Sequence, residues 1–350
     1  MPGTANKDRI SIDVDLASVW SKVVKSGKIA NEFNAPHSDL DGRWKSGDRI
    51  LFGVTQSDHE FCYFAKNLST DKFINANVEE KEVIGTEFRC QFNGYRALRP
   101  GGQALTIGRQ DEISPNPIEC RFYCQDPTNT LSLLHRTPLS QIRLGNNLWN
   151  AYYNAAPLEI EGHFILVPVQ VSGARFTLTH HLQTLTREFI EDIFLLRDRS
   201  KNFVLLFNSL HAGASVNHIH VHAVYRRQPL AVEKELTNAG GPFYLLDTYP
   251  AEVLVFQGIQ AVDLVSEHVM RFQEIGIPFN LIWVGERVFL VPRNIEHEVT
   301  EEFPFDTLSA LDICGKIVTT DRTTYNSVSK ELIHAALRKS SIPASKFLRN

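Results

Sequence analysis

The stretch FNSLHAGASVNHIHVHAVYRR, Phe207 to Arg227, sets three histidines at alternate positions directly behind a loop of small residues. Alternate residues of a β-strand point to the same side. A strand over NHIHVHAVYRR, Asn217 to Arg227, therefore puts His218, His220 and His222 in a row on one face. Adjacent members of such a row sit roughly 6.5–7 Å apart at Cα, and the outer two about 13 Å apart. Ile219, Val221 and Ala223 turn the other way, into a core.

Three chemistries fit a histidine row. It can be a solvated polar strand face. A His-x-His pair can share a metal ion with a third ligand from elsewhere, but all three cannot close on one ion, since Zn–N bonds are about 2.1 Å long. The third is nucleophilic catalysis, in which the central imidazole attacks phosphorus while its neighbours orient it and donate to phosphate oxygens. Neutral imidazole is a competent nucleophile near neutral pH and a good leaving group once phosphorylated. The preceding LHAGASVN adds weight to this reading. Small residues at Ala212, Gly213, Ala214 and Ser215 let backbone N–H groups approach an anion. Ser215 and Asn217 add side-chain donors.

Outward from this segment the chain alternates strands and helices. GHFILVPV, Gly162 to Val169, and NFVLLFN, Asn202 to Asn208, are continuous apolar runs of strand length. Between them Leu185, Phe189, Ile193 and Leu196 recur at helical spacing, which predicts a helix over Thr186 to Arg197. The C-terminal third repeats the pattern. AEVLVFQG reads as a strand, DLVSEHVMRFQEIG as a helix closed by Gly276, and PFNLIWVGERVFLVPR as a hairpin turning at Gly285 and Glu286. FILVP at Phe164 to Pro168 and VFLVP at Val288 to Pro292 echo one another, and with the matching element order they suggest a duplicated half. Nearer the N-terminus, DLASVWSKVV predicts an amphipathic helix capped by Asp15 within residues 10–29. Short β-like runs are expected from Arg89 to Ile113. The tail carries one amphipathic helix.

Bulk composition narrows the function. The 350 residues are 43% hydrophobic and 22% charged, enough for a sizeable core. A net charge of −4 argues against a protein held on nucleic acid by bulk electrostatics. No segment approaches the roughly 20 apolar residues of a membrane span, and no signal-peptide pattern opens the chain. The five cysteines are odd in number and scattered. Cys120 and Cys124, in CRFYC, have no second pair to complete a zinc site, so free or structural thiols in a reducing, cytoplasmic setting are expected.

The histidine segment resembles the histidine-triad superfamily, in particular its galactose-1-phosphate uridylyltransferase-like branch and, within that, the GDP-hexose phosphorylases that act on GDP-L-galactose or GDP-D-glucose. FNSLHAGASVNHIHVHAVY followed by QPLAVEKE is similar to their signature. NAAPLEIEGHFILVPV, QFNGYRALRP, YPAEVLVFQG and IPFNLIWVGERVFLVPR resemble further blocks between Glu87 and Arg293. The resemblance implies an α+β, HIT-like, mostly antiparallel sheet with packed helices in two related halves. The expected division is an N-terminal segment 1–80 of open role, a catalytic half 81–235 and a C-terminal half 236–350.

By that resemblance His220 is the nucleophile, supported by His218. His222 stands where many transferases of the group carry Gln and hydrolases carry His, which leaves phosphate or water open as the second substrate. Asn154, Asn208, Gly213, Ser215, Asn217, Arg96, Arg99 and Lys234 are the implied contacts to nucleotide or phosphate. His163 reads as a turn or core residue. The implied reaction is phosphorolysis of a GDP-hexose through a nucleotidyl-histidine. Inorganic phosphate is the co-substrate, and no cofactor or metal, nucleic-acid partner or membrane is implied. A nucleotide hydrolase, a dinucleoside polyphosphate phosphorylase and a non-catalytic nucleotide sensor are the alternatives. The oligomeric state stays open.

Overall fold

A computed structural model of the chain describes residues 15–27, 29–35, 38, 42–58, 60–98, 120, 122, 138–154, 156–169, 183–234, 243–246, 248–304 and 306–343. Arg99, Cys124 and all of the run expected to be β-like beyond Leu98 lie outside these residues.

Helix α1 (Leu16–Lys25) begins at Asp15, whose carboxylate accepts the Ala17 N–H at 3.1 Å. Leu16, Trp20 and Val24 recur every fourth residue and are all buried. A four-stranded antiparallel sheet follows: β1 (Ala30–Asn34), β2 (Arg49–Ser57), β3 (Glu60–Asn67) and β4 (Lys72–Phe73). Next come β5 (Val78–Glu82) and β6 (Arg89–Asn93), then the single helical turn α2 (Gly94–Ala97). Arg96 thus lies on α2 and not on a strand. The Asn93 side chain accepts the Arg96 N–H at 3.2 Å, which turns the backbone out of the extended conformation.

The main sheet has nine strands. Its first half contains β7 (Ser140–Leu144), β8 (Asn147–Tyr153), β9 (His163–Pro168), α3 (Arg187–Arg199), β10 (Phe203–Asn208) and β11 (Val221–Tyr225). After the short α4 (Ala231–Lys234), the second half contains β12 (Phe243–Leu245), β13 (Leu254–Gln257), α5 (Ala261–Glu274), β14 (Phe279–Val284) and β15 (Arg287–Pro292). Helix α3 starts at Thr186, whose hydroxyl accepts the Phe189 N–H. Helix α5 ends at Gly276, with φ +72°, where the Ile277 N–H returns to the Phe272 carbonyl at 2.9 Å. The chain then forms α6 (Ala310–Ile313), β16 (Lys316–Thr319), α7 (Arg322–Ser327) and α8 (Lys330–Ser340). Strand β16 pairs in parallel with β6, so the last third of the chain completes a small sheet with β5. The boundary read at residue 80 falls inside β5.

The strand order β12-β13-β15-β14-β10-β11-β9-β8-β7 makes the duplication explicit. Two strands, a helix and two strands are ordered 8-9-11-10 in one half and 12-13-15-14 in the other. By this order β9 matches β13, and β11 matches β15. The FILVP and VFLVP echo therefore joins β9 to β15, which are not equivalent strands. Each is a buried strand, and burial on both faces selects the same Val, Leu, Ile and Phe vocabulary. The halves meet where β10 pairs antiparallel with β14, Leu205 opposite Trp283 and Asn208 opposite Asn280.

Both faces of the sheet are covered, which explains the unbroken apolar runs. Leu205, Phe207, Ile219, Val221, Ala223, Leu281 and Trp283 pack with α1, α3 and α5 on one face. Val204, Leu206, Val224, Ile282 and Phe289 pack with α4, α6, α8, β6 and β16 on the other. Each fully buried Leu or Phe side chain contributes about 1.5–3 kcal/mol.

Candidate active site

The two halves differ at the connection between their last two strands. Strands β14 and β15 are joined by the tight turn Gly285–Glu286, whereas β10 and β11 are separated by residues 209–220. That longer connection carries the small-residue loop and the first two histidines. The site is therefore an elaboration of the first half.

Ladder pairing begins at Val221, opposite Leu166, and not at Asn217. Continued by two residues, this register would face Ile219 with Pro168, which has no N–H to donate. The alternation nevertheless persists. Ile219, Val221 and Ala223 are fully buried in the helix-covered core, while His222 pairs with Ile165 on the opposite face.

His220 has a defined tautomer. Its Nδ1 lies 2.7 Å from the carbonyl oxygen of His218. A carbonyl only accepts, so Nδ1 carries the proton and Nε2 carries the lone pair. The ring is 2% exposed, and burial pushes its pKa down to about 4, so it is neutral at pH 7. His218 acts through its backbone. Its own ring is buried, with Nδ1 3.6 Å from Cys120 Sγ. Phe122 packs on both rings, with centroids 5.6 Å from His218 and 5.5 Å from His220.

His222 has the opposite tautomer. The Leu158 N–H donates to His163 Nδ1 at 3.1 Å, so the neutral His163 ring keeps its proton on Nε2. That Nε2 lies 3.0 Å from His222 Nδ1 and donates to it. His222 must then hold its own proton on Nε2. The His220 and His222 rings stand edge to face at 4.9 Å. One neighbour thus offers an electron pair and the other an N–H. This pair can attack an electrophilic phosphorus and donate to its oxygens.

The remaining expected residues divide. Asn154 is buried. Its Oδ1 accepts the Ala156 N–H, and its Nδ2 lies 3.3 Å from His163 Nε2; both nitrogens carry hydrogen in this tautomer, so Asn154 packs beside the ring without a hydrogen bond to it. Arg96 donates to the Ala156 carbonyl at 2.5 Å, beneath the same turn. Ser215 and Asn217 lie on the loop that leads into the histidines, Asn217 fully buried.

Three of the residues are committed to protein contacts. Asn208 Oδ1 accepts from Asn280 Nδ2 at 2.8 Å and from the Ala310 N–H at 2.9 Å, fastening the two halves to α6. The Gly213 N–H donates to Glu298 Oε1 at 2.7 Å. A Cβ on Gly213 would lie 2.7 Å from Ser309 Cα, so its small size serves close backbone packing. Lys234 is half exposed and paired with Glu87.

Sequence reasoning placed His163 in a turn or core, whereas it hydrogen-bonds the third histidine. The signal lay in β9, where His163 faces Val224 and so shares a face with His222. The contacts of Cys120 and Phe122 with the histidines had no sequence signal. Among the described residues, no three His, Cys, Asp or Glu side chains converge as a metal site, and no helix is long and apolar enough to cross a membrane.

Residues 226–349 match the family model described as GDPGP1-like, C-terminal domain. The chain is 26% identical over 213 residues to GDP-L-galactose phosphorylase 1 of Arabidopsis thaliana, covering 55% of this chain and 47% of that protein. It is 33% identical over 173 residues to GDP-D-glucose phosphorylase 1 of Homo sapiens, covering 48% and 43%. These alignments span less than half the length of either relative. In structure it is similar to yeast Ap4A phosphorylase Apa2 in complex with AMP, with TM-score 0.51 and 16% identity, covering 77% of this chain and 90% of the other. That likeness establishes an α+β, HIT-like fold.

Proposed function

We propose that this chain is a nucleotidyltransferase that cleaves a GDP-hexose by phosphorolysis. His220 Nε2 attacks the α-phosphorus. The bond from that phosphorus to the bridging oxygen breaks, hexose 1-phosphate leaves, and GMP remains on His220. An oxygen of inorganic phosphate then attacks the same phosphorus, the P–N bond breaks, and GDP is released. His222 donates its Nε2–H to the oxygens around the transferring phosphorus. Arg96, Ser215 and Asn217 offer further positive charge and hydrogen bonds there. The imidazole and phosphate supply the chemistry, so no cofactor enters the scheme.

The observation that carries the proposal is the His220 hydrogen bond to the His218 carbonyl, which leaves a neutral imidazole with its lone pair on Nε2. The GDPGP1-like domain and the GDP-hexose phosphorylase relatives support the substrate class. The free thiols Cys62, Cys90, Cys120 and Cys314 support a cytoplasmic setting.

The test is intact-mass analysis after mixing with GDP-glucose without phosphate. The expected result is one GMP-sized adduct, lost in His220→Ala. Full activity in that variant, with no adduct under quench, overturns the proposal. His222 in the third position favours hydrolysis as the second reading. Turnover that proceeds equally without phosphate would select it.

A further inference from the structure

A cavity of about 560 Å³ opens between β3, β5, β6 and the turn at 158–160. It lies on the far side of the turn that holds the histidine relay. The Leu158 N–H bonds His163, which bonds His222, and Leu158, Glu159 and Ile160 line the cavity. Two hydrogen bonds and one imidazole ring separate the cavity wall from His222. Its volume is in the range of small-molecule sites.

The lining has a definite chemistry. Phe61, Tyr63 and Tyr95 form an aromatic wall. Tyr63 and Tyr95 are stacked at 5.3 Å, and the Tyr63 hydroxyl is anchored to the Pro157 carbonyl at 3.0 Å. Glu79, Glu80 and Glu159 line the cavity against one lining cation, Arg227. Behind them Lys316, 2% exposed, pairs with Glu80 at 2.7 Å and with Glu159, and Arg89 pairs with Glu80 at 2.9 Å. These pairs hold the carboxylates rigidly. Asn75, Asn77 and Gln91 add amide groups. Arg322 pairs with Glu79 at 2.7 Å, and Arg227 is taken up by Glu159 and Glu161, so the lining charges are matched and Arg227 is not left over for a phosphate. An uncharged, flat ring with several N–H donors fits the aromatic wall and the acceptors together.

We propose that this cavity receives the guanine base of the nucleotide sugar, with its imide and amino N–H groups toward the carboxylates and its ring against the tyrosine wall. This rests on the GDP-hexose reading and adds to it a base-recognition site of which the histidine segment forms no part. The phosphates then run from the cavity past the 158–160 turn toward His220.

Cys62 supplies a reporter. It lines the cavity, is partly exposed and carries a free thiol, whereas Cys90, Cys120 and Cys314 are buried. Alkylation of Cys62 in the full chain by iodoacetamide can be followed by peptide mass spectrometry. GDP and GMP are expected to slow it severalfold, while ADP and glucose 1-phosphate leave it unchanged. No protection by GDP or GMP overturns the assignment. So does equal protection by ADP, or protection by glucose 1-phosphate alone, which would put the hexose here. In a second arm, a folded Cys62→Trp variant should raise KM for GDP-glucose about tenfold or more with little change in kcat, the equivalent of about 1.4 kcal/mol of binding. An unchanged KM overturns the proposal. The two readings fail separately. Protection by GDP without a GMP adduct on His220 removes the chemistry and keeps the base site, and an adduct without protection does the reverse.

Discussion

His163 Nε2 donates to His222 Nδ1 across 3.0 Å, and that bond fixes which nitrogen of His222 faces outward as an N–H. Two histidines far apart in sequence are joined by the pairing of β9 with β11. His163→Ala should lower kcat about 10- to 100-fold, the usual loss when a reacting group is misoriented. KM should change little. Stopped-flow measurement of GMP-adduct formation checks it, and His163→Gln, which restores a donor, should recover part of the rate.

The pH profile should show the neutral state of His220. Its pKa is pushed down to about 4, against an ordinary value of 6.5. Nucleophilic competence should therefore survive through pH 6.5 and fail near pH 4. An acid limb of adduct formation centred at 6.5 would contradict this. The same shift costs stability in acid. Between pH 6.5 and 4 the unfolded chain binds a proton at this ring that the folded chain refuses, so stability falls by about 3 kcal/mol across that window and no further below it. Denaturant unfolding of wild type and His220→Asn at pH 7 and pH 4.5 should show the wild type losing more.

Gly213→Ala should destabilise by about 1–3 kcal/mol, because φ is +88° and the new Cβ would meet Ser309 Cα at 2.7 Å. A thermal melt several degrees lower is expected. An unchanged melt would mean that the loop separates from Ser309 without cost.

Lys316→Met should be severe. It removes the cation that Glu80 and Glu159 share, leaving Glu80 with Arg89 and Glu159 with the half-exposed Arg227 at 3.2 Å, and removing one partner of a buried ion pair costs about 3–5 kcal/mol. The Lys316→Met, Glu159→Gln double variant should recover part of the loss in a chemical unfolding experiment.

Local periodicity was legible wherever one residue type had one environment. Leu16, Trp20 and Val24 announced a helix face, and Gly285–Glu286 announced a hairpin, because both signals lie within a few residues of each other. The histidine row was legible for the same reason. The strand start at Val221 was not, since it depends on Pro168 in another strand. The role of Gly213 was not legible either. Its smallness fits an anion loop and a tight backbone contact equally, and only the position of Ser309 and Glu298 separates them.

The sequence by itself determined that the chain alternates helices with buried strands, that these recur in two halves, and that His218, His220 and His222 share a side. Those properties follow from side-chain chemistry repeated at short spacing. Tertiary structure decided that β9 matches β13 and not β15, that His163 orients His222, that Asn208 binds protein, and that the 158–160 turn separates the histidines from an aromatic, carboxylate-lined cavity. Each of these requires the meeting of residues distant in the chain, and hydrogen-bond direction and steric contact exist only once that meeting has occurred.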